Sequence, residues 1–345
     1  MRSGDPLAID PVAETERLCS ALRQQVLGTL RRRGAVLGLS GGVDSSVVAS
    51  LCVRALGKDR VLGLLMPERD SSDDALRLGR QVADQLGIEA RLEEIGLAAE
   101  ASGCYRRQED AIRSVFPDYG TGWRCKLALP PLAAGERLNI FQLTVETPAG
   151  ERRTARLGPE AYLQLVAATN FKQRLRKTVE YYHADRLHYA VAGTPNRLEY
   201  ELGFFVKQGD GAADVKPIAH LYKTQVYALA AHLGVPEEIR SRPPTTDTFS
   251  LAQTQEEFFF ALPYQQMDRC LQAYDERTPA GETAGALGLT EVQVERVYRD
   301  IEAKRRAASY LHAPPLLVAS ADAGGSHAPA PQGESADARL RRGTG

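Results

Sequence analysis

Apolar residues Leu18, Leu22, Val26, Leu27 and Leu30 recur at helical spacing, which predicts an amphipathic helix over 13–33, ending in Arg31-Arg32-Arg33-Gly34. The period then changes. Ala35-Val36-Leu37-Gly38-Leu39 is a short unbroken apolar run of the kind found in strands buried on both faces. A turn over 40–46 follows, then a helix over 47–56 closed by Gly57, a strand over 60–66, a helix over 72–86 closed by Gly87, and a strand over 88–95. Strands alternating with helices through short connections imply a parallel sheet with right-handed crossovers. Helical pattern returns over 159–185, a short strand over 188–192 ends in Gly193-Thr194, and helices are expected over 222–233, 264–275 and 290–309. The expected fold is α/β, a doubly wound and mainly parallel sheet with a helical C-terminal part.

One stretch breaks this rhythm. Residues 96–158 are rich in Gly, Pro and Arg; alternation over 139–145, then Pro148-Ala149-Gly150 and a second run over 152–157, predict a β-hairpin insertion. From Ala313 onward the chain is rich in Ala, Gly, Pro and Ser without apolar periodicity, so 313–345 reads as a disordered tail after a domain spanning 13–312. With 43 Lys plus Arg against 44 Asp plus Glu, the net charge of −1 argues against nucleic-acid binding through bulk charge. No apolar run approaches the ~20 residues of a membrane span, and the first residues have no signal-like apolar core. Five scattered cysteines without a CxxC argue against a disulfide framework and a tetrathiolate zinc site. The expectation is a cytoplasmic enzyme or binding protein.

The strongest chemical signal is Gly38-Leu39-Ser40-Gly41-Gly42-Val43-Asp44-Ser45-Ser46, where a buried strand meets a helix. Adjacent glycines let backbone N–H groups approach a ligand. A helix N-terminus adds positive partial charge, and Ser40, Ser45 and Ser46 add hydroxyls. Together they form a cradle for a pyrophosphate, and Asp44 suits it if a divalent cation lies between carboxylate and phosphates. Neither G-x-x-x-x-G-K-[ST] nor G-x-G-x-x-G is present.

SGGVDSS resembles the pyrophosphate loop of the N-type ATP pyrophosphatases, which implies an adenine nucleotide alpha-hydrolase-like, Rossmann-like fold and cleavage of ATP between its α and β phosphates. Within that group the chain is similar to the ammonia-dependent NAD synthase family. The segments are Gly193-Thr194 followed by Glu199, Gly203-Phe204-Phe205, Lys207 and Gly209-Asp210-Gly211-Ala212-Ala213-Asp214; then Leu221-Tyr222-Lys223-Thr224-Gln225-Val226, Pro243-Pro244-Thr245, and Asn170 to Arg176 upstream. The resemblance implies ATP-dependent amidation of deamido-NAD with ammonia to NAD, through an acyl-adenylate, with AMP and pyrophosphate released. It implies Asp44 and Glu199 as Mg²⁺ ligands, Asp44, Lys223 and Ser46 as catalytic groups, and Thr194, Lys223 and Thr245 beside the phosphate loop on ATP. Asn170, Arg174, Lys207, Asp210 and Asp214 would hold deamido-NAD. A homodimer is implied, with the helix carrying Arg174 at its interface.

Three features depart from the family pattern: the long 96–158 insertion, Pro195 after Gly193-Thr194, and Phe258-Phe259-Phe260 within a segment that is usually a mobile loop. Residues 246–260 read either as a lid or as a segment fixed by its phenylalanines. The insertion is expected near the dinucleotide site or the dimer contact. Only 34 residues precede the first strand, too few for a glutaminase domain, so ammonia is expected free or from a separate glutaminase. The alternative is a ligase of the same fold acting on a different carboxylic acid. A tRNA-modifying thiolase is disfavoured by the missing cysteine pair, and a non-catalytic nucleotide-binding module by the two candidate metal carboxylates.

Overall fold

Residue parity along the strands sets the two faces of the main sheet. Strand β1 (Ala35–Gly38) pairs in parallel with β2 (Val61–Leu65), placing Ala35 opposite Val61 and Val36 opposite Leu62. Val36, Leu62 and Leu64 point to one face; Ala35, Leu37, Val61 and Leu65 point to the other. Helix α1 (Pro11–Arg23), continued by a π-helical turn over Gln24–Thr29, and helix α2 (Val43–Leu56) cover the second face. In the computed structural model, residues 5–128, 141–245, 248–260 and 262–318 are described.

Helix α3 (Asp73–Leu86) follows β2, and β3 (Glu89–Leu92) follows α3. Ser72 caps α3 by accepting the Ala75 N–H, and Gly87 ends it in the left-handed region. Gly79 of α3 faces the sheet so closely that a Cβ there would lie 2.7 Å from Leu65 Cδ2 and 2.8 Å from the Leu39 carbonyl. The chain then builds α4 (Gly96–Ala101), α5 (Cys104–Arg113), β4 (Arg124–Ala128), β5 (Gln142–Glu146), β6 (Arg152–Arg156) and the long α6 (Pro159–Leu187). Pro159 starts α6 at a position where its missing N–H costs nothing. Strand β7 (Ala190–Val191) joins β1 on its other side, so the parallel order is β3-β2-β1-β7. Helix α6 lies on the Val36 face, where Ala184 packs with Leu62, Leu64 and Val191. Helices on both faces make the sheet doubly wound, as the pattern predicted.

Short helices α7 (Arg197–Leu202), α8 (Lys223–His232) and α9 (Glu237–Ser241) precede α10 (Tyr264–Asp275), α11 (Ala280–Leu287) and α12 (Glu291–His312). Helix α8 joins the core under α2, whereas α7, α10 and α12 share a second core around Leu198, Met267, Leu271 and Ile301. All five cysteines are free and buried. No helix among the described residues is long and apolar enough to cross a membrane.

Two expectations need correction. The insertion is more than a hairpin: β5 and β6 form the predicted antiparallel pair, but β4 adds a third strand in the order β4-β5-β6, and α4 and α5 precede it. Asn139 and Ile140, the predicted start of the hairpin, lie outside the described residues. The insertion packs onto the main body through Cys125, Leu127, Leu143 and Val145, which face Ile112 of α5 and Leu165 of α6. Strand β4 was obscure in sequence because Arg124 and Lys126 alternate with Cys125 and Leu127 over only five residues. Second, α2 starts at Val43 rather than residue 47, because Gly42 supplies its extended cap. The chain divides into units Met1–His312 and Ala313–Gly345; of the predicted tail only 313–318 is described, without helix or strand.

Gly79→Ala tests the close approach of α3. Helix propensity alone favours Ala by about 1 kcal/mol, but the added methyl meets a backbone carbonyl, and overpacking of this kind costs about 1–3 kcal/mol. The expected outcome is a lower denaturation midpoint; a higher one would show that α3 is free to move outward.

Candidate active site

The phosphate-type loop lies at the carboxyl end of β1, and the Gly193-Thr194 loop at the carboxyl end of β7. The chain leaves β1 toward β2 while β7 lies on β1's opposite side, so the two loops flank a switch in strand order, where open α/β sheets bind ligands. Gly41 adopts φ 74°, and a Cβ there would sit 2.7 Å from the Ala75 carbonyl. The loop can therefore lie flat on α3. Ser45 Oγ lies 3.1 Å from Ser40 Oγ, and Ser46 Oγ donates to the Gly42 carbonyl at 2.8 Å. With α2 starting at Val43, Asp44 and Ser45 occupy its first turn, where N–H groups lack helical partners, and the Ser46 N–H makes the first helical bond, to the Gly42 carbonyl at 3.2 Å.

Asp44 is the hub. Its Oδ2 accepts the Lys223 ammonium, which is fully buried, and its Oδ1 accepts Asn196 Nδ2 at 3.1 Å. Asn196 also caps α7: its side chain accepts the Glu199 N–H at 3.2 Å, while Glu199 Oε2 accepts the Asn196 N–H at 3.0 Å. This reciprocal capping box fixes the Glu199 carboxylate beside Asp44. Asp268 of α10 fixes Lys223 by accepting the Lys223 and Thr224 N–H groups at 3.2 and 2.8 Å. Burial and the Asp44 charge push the Glu199 carboxyl up to about 8, against the pull of Lys223. Burial opposes charge on Lys223, yet the Asp44 and Glu199 carboxylates hold its pKa above the ordinary value.

These groups adjoin a cavity of about 510 Å³. Gly38, Ser40, Asp44, Ser45, Thr194, Glu199 and Thr245 line one part of it. Helix α6 contributes Asn170, Gln173, Lys177 and Glu180, spaced so as to form one stripe along the helix. Lys177 and Glu180 are both buried and paired at 2.5 Å. The other wall is aromatic: Phe141 stacks on Tyr162 with centroids 4.7 Å apart, and Phe204 stacks on Phe259 at 4.8 Å. Within 248–260, Phe249 and Phe260 are buried.

The expected dinucleotide residues divide. Asn170 and Asp210 line the cavity. Asp210 also accepts the Val206 N–H at 2.8 Å, and loss of water contact raises its pKa. Arg174 instead donates to the Lys207 carbonyl at 3.2 Å, and Lys207 donates to the Tyr310 carbonyl at 2.8 Å. Asp214 accepts the Val191 N–H at 2.8 Å and is exposed. These three do not line the cavity. Sequence reasoning passed over Asn196, although Asn-x-x-Glu is a capping-box signature, and over Gln173, Lys177 and Glu180, whose signal is their polar stripe. It also missed Asp268, which nothing local distinguishes. Among the described residues no group of three or more His, Cys, Asp or Glu is placed to hold a metal ion.

A family model described as NAD synthase matches residues 14–114 and 138–308, breaking only within the insertion. The NH(3)-dependent NAD(+) synthetase of Mesorhizobium japonicum is 68% identical over 311 residues, covering 90% of this chain and 98% of that protein. The protein of the same name from Rhizobium meliloti is 58% identical, covering 92% and 94%. Among solved structures, the NMN synthetase from Francisella tularensis superposes with a TM-score of 0.62 at 22% identity, covering 90% of this chain and 99% of that one, and shares the fold. With the phosphate loop, its paired carboxylates and likeness across nearly the whole chain in agreement, the protein belongs to the NAD synthase family.

Proposed function

We propose that this chain uses ATP and ammonia to convert deamido-NAD into NAD, releasing AMP and pyrophosphate. The observation that carries the reading is the Asp44–Lys223–Glu199 cluster set beneath the loop at the end of β1. The relatives' names carry ammonia and NAD(+), the nitrogen donor and the product of this reaction, and nothing favours a different carboxylic acid.

The chemistry has two steps. A carboxylate oxygen of deamido-NAD attacks the α-phosphorus of ATP, the α–β bridging bond breaks, and pyrophosphate leaves with the electron pair. Ammonia then attacks the acyl carbon, loses a proton, and AMP departs with the acyl oxygen bond. Lys223 is suited to the first step, because a buried ammonium placed beforehand on the leaving group needs no reorganisation. Ser40, Ser45, Ser46 and the N–H groups opening α2 bind the departing phosphates. Thr194 and Thr245 contact ATP, and Asn170 and Asp210 contact the dinucleotide. Arg174, Lys207 and Asp214 serve by holding α6, α12 and β7 around that site. Ammonia arrives free or from a separate glutaminase.

Asp44 and Glu199 fit a Mg²⁺ ion: they are hard oxygen donors, and a bound cation would offset the charge crowding that raises the Glu199 carboxyl. Bound there, Mg²⁺ supplies charge to the phosphate oxygens. Homodimerisation would engage α6, the helix that carries Arg174, on which Leu163 and Tyr182 are exposed.

The direct test supplies ATP, Mg²⁺ and ammonia with and without deamido-NAD, and reads AMP, pyrophosphate and NAD. AMP formed only with the dinucleotide, together with NAD, is expected; a folded, ATP-binding protein indifferent to it would overturn the reading. Lys223→Met should lower kcat by about 10²–10³-fold, the scale of one preorganised electrostatic contact, in the same AMP assay. Glu199 also makes the metal-free protein pH-sensitive. Its carboxyl titrates near 8 when folded against an ordinary 4.5, so between those values the folded state holds a proton that the unfolded chain has released. Stability therefore falls as pH rises through that window. Glu199→Gln keeps the acceptor for the Asn196 N–H and removes the slope. Melting temperatures across the window should show the variant gaining on the parent as pH rises, and parallel curves would contradict the assignment.

A further inference from the structure

Another buried ammonium stands behind the walls of the cavity. Lys172 of α6 is 1% exposed, and all three of its protons are used. Nζ donates to Glu68 Oε1 at 3.2 Å, to Asp70 Oδ2 at 2.5 Å and to the Thr248 carbonyl at 3.3 Å. Glu68 and Asp70 belong to the loop between β2 and α3, and Thr248 begins the segment 248–260. The buried Tyr105 hydroxyl of α5 donates to the other Glu68 oxygen at 2.9 Å, and Arg69 lies 3.6 Å from Asp70. Two cations thus offset two carboxylates.

The elements meeting at this ammonium are walls of the cavity. Asn170 and Gln173 flank Lys172 on α6, Pro67 and Ser71 stand on the loop, and Phe249 follows Thr248; all five line the space. The segment has further ties. The Leu251 N–H donates to the Cys125 carbonyl at 3.0 Å, and the Cys125 N–H donates to Ser250 Oγ at 2.9 Å. Gln253 donates to the Leu127 carbonyl, and Lys304 donates to the Phe259 carbonyl at 2.5 Å. Strand β4 of the insertion therefore holds its middle, α12 its end, and Lys172 its beginning.

A buried ion cluster is a poor source of net stability, since a well-packed apolar set often matches it. What it does supply is one defined arrangement of the groups it joins. We infer that Lys172 is a positioning residue for the reaction: its ammonium fastens 248–260 to α6 and the β2–α3 loop, and so fixes where the segment stands as a wall of the nucleotide cavity. This rests on the cavity being the nucleotide site.

Limited chymotrypsin digestion, with the cut mapped by mass, reads the segment directly, because Phe249 and Phe258 to Phe260 are its cleavage points. The parent should resist cleavage there. Lys172→Met should be cut on the order of tenfold faster at these positions, as expected when a local opening loses a buried tie. Its KM for ATP should rise about tenfold with kcat nearly unchanged, the mark of lost binding geometry rather than lost chemistry. Lys172→Arg should restore much of the resistance. If Lys172→Met does not fold, Lys172→Met/Glu68→Gln/Asp70→Asn removes the buried charge altogether while still lacking the tie to Thr248, and should show the same cuts and the same KM. Parent-like cleavage and KM in a folded variant would overturn the inference. Failure of the parent to make NAD would instead strike the functional reading and leave the digestion result standing.

Discussion

The contact between the Lys223 ammonium and the Asp44 carboxylate joins parts of the chain that are far apart in sequence. Asp44 opens α2 and Lys223 opens α8, so the pair locks two helix N-termini beside each other under the ends of β1 and β7. Asn196 extends the link to α7, and Asp268 extends it to α10. Helix N-termini carry positive partial charge, and two of them held together would repel a buried ammonium unless carboxylates stood between. Asp44, Glu199 and Asp268 occupy that position.

The arrangement trades stability for readiness. Glu199 is held where its charge is disfavoured, and the capping box prevents it from turning away. Such a carboxylate is poor for an empty protein and useful where a cation and polyphosphate must be received. The serine- and glycine-rich loop after β1 shows the same economy. Its serine hydroxyls already bond to one another and to the Gly42 carbonyl, so the loop keeps its shape without a ligand.

The main sheet and the loop after β1 were legible because their signals are local: unbroken apolar strands, glycines at turns, hydroxyls in one short run. Glu199 was legible only through its family spacing; its burial and its tie to Asn196 emerge from the fold. Arg174 and Lys207 were expected as ligand contacts from the family resemblance; the structure adds their bonds to backbone carbonyls of neighbouring elements, which no sequence pattern announces. Asp268 acts on residues 45 and 44 positions earlier, so proximity in the chain offered no hint. Strand β4 was missed because its pairing partner, β5, supplies the order that its own five residues do not declare.

Helix α6 carries a consequence of a geometrical kind. From Asn170 to Glu180 its cavity-facing stripe spans about 15 Å at 1.5 Å per residue. The helix is thus a ruler laid between the aromatic wall and the carboxyl ends of the strands. Adding or removing one residue within that span would turn everything beyond it by about 100°, facing Glu180 away from the cavity while leaving Asn170 in place. Surface loops tolerate changes of length because they keep no phase. Along this ruler the residue count is itself part of the site.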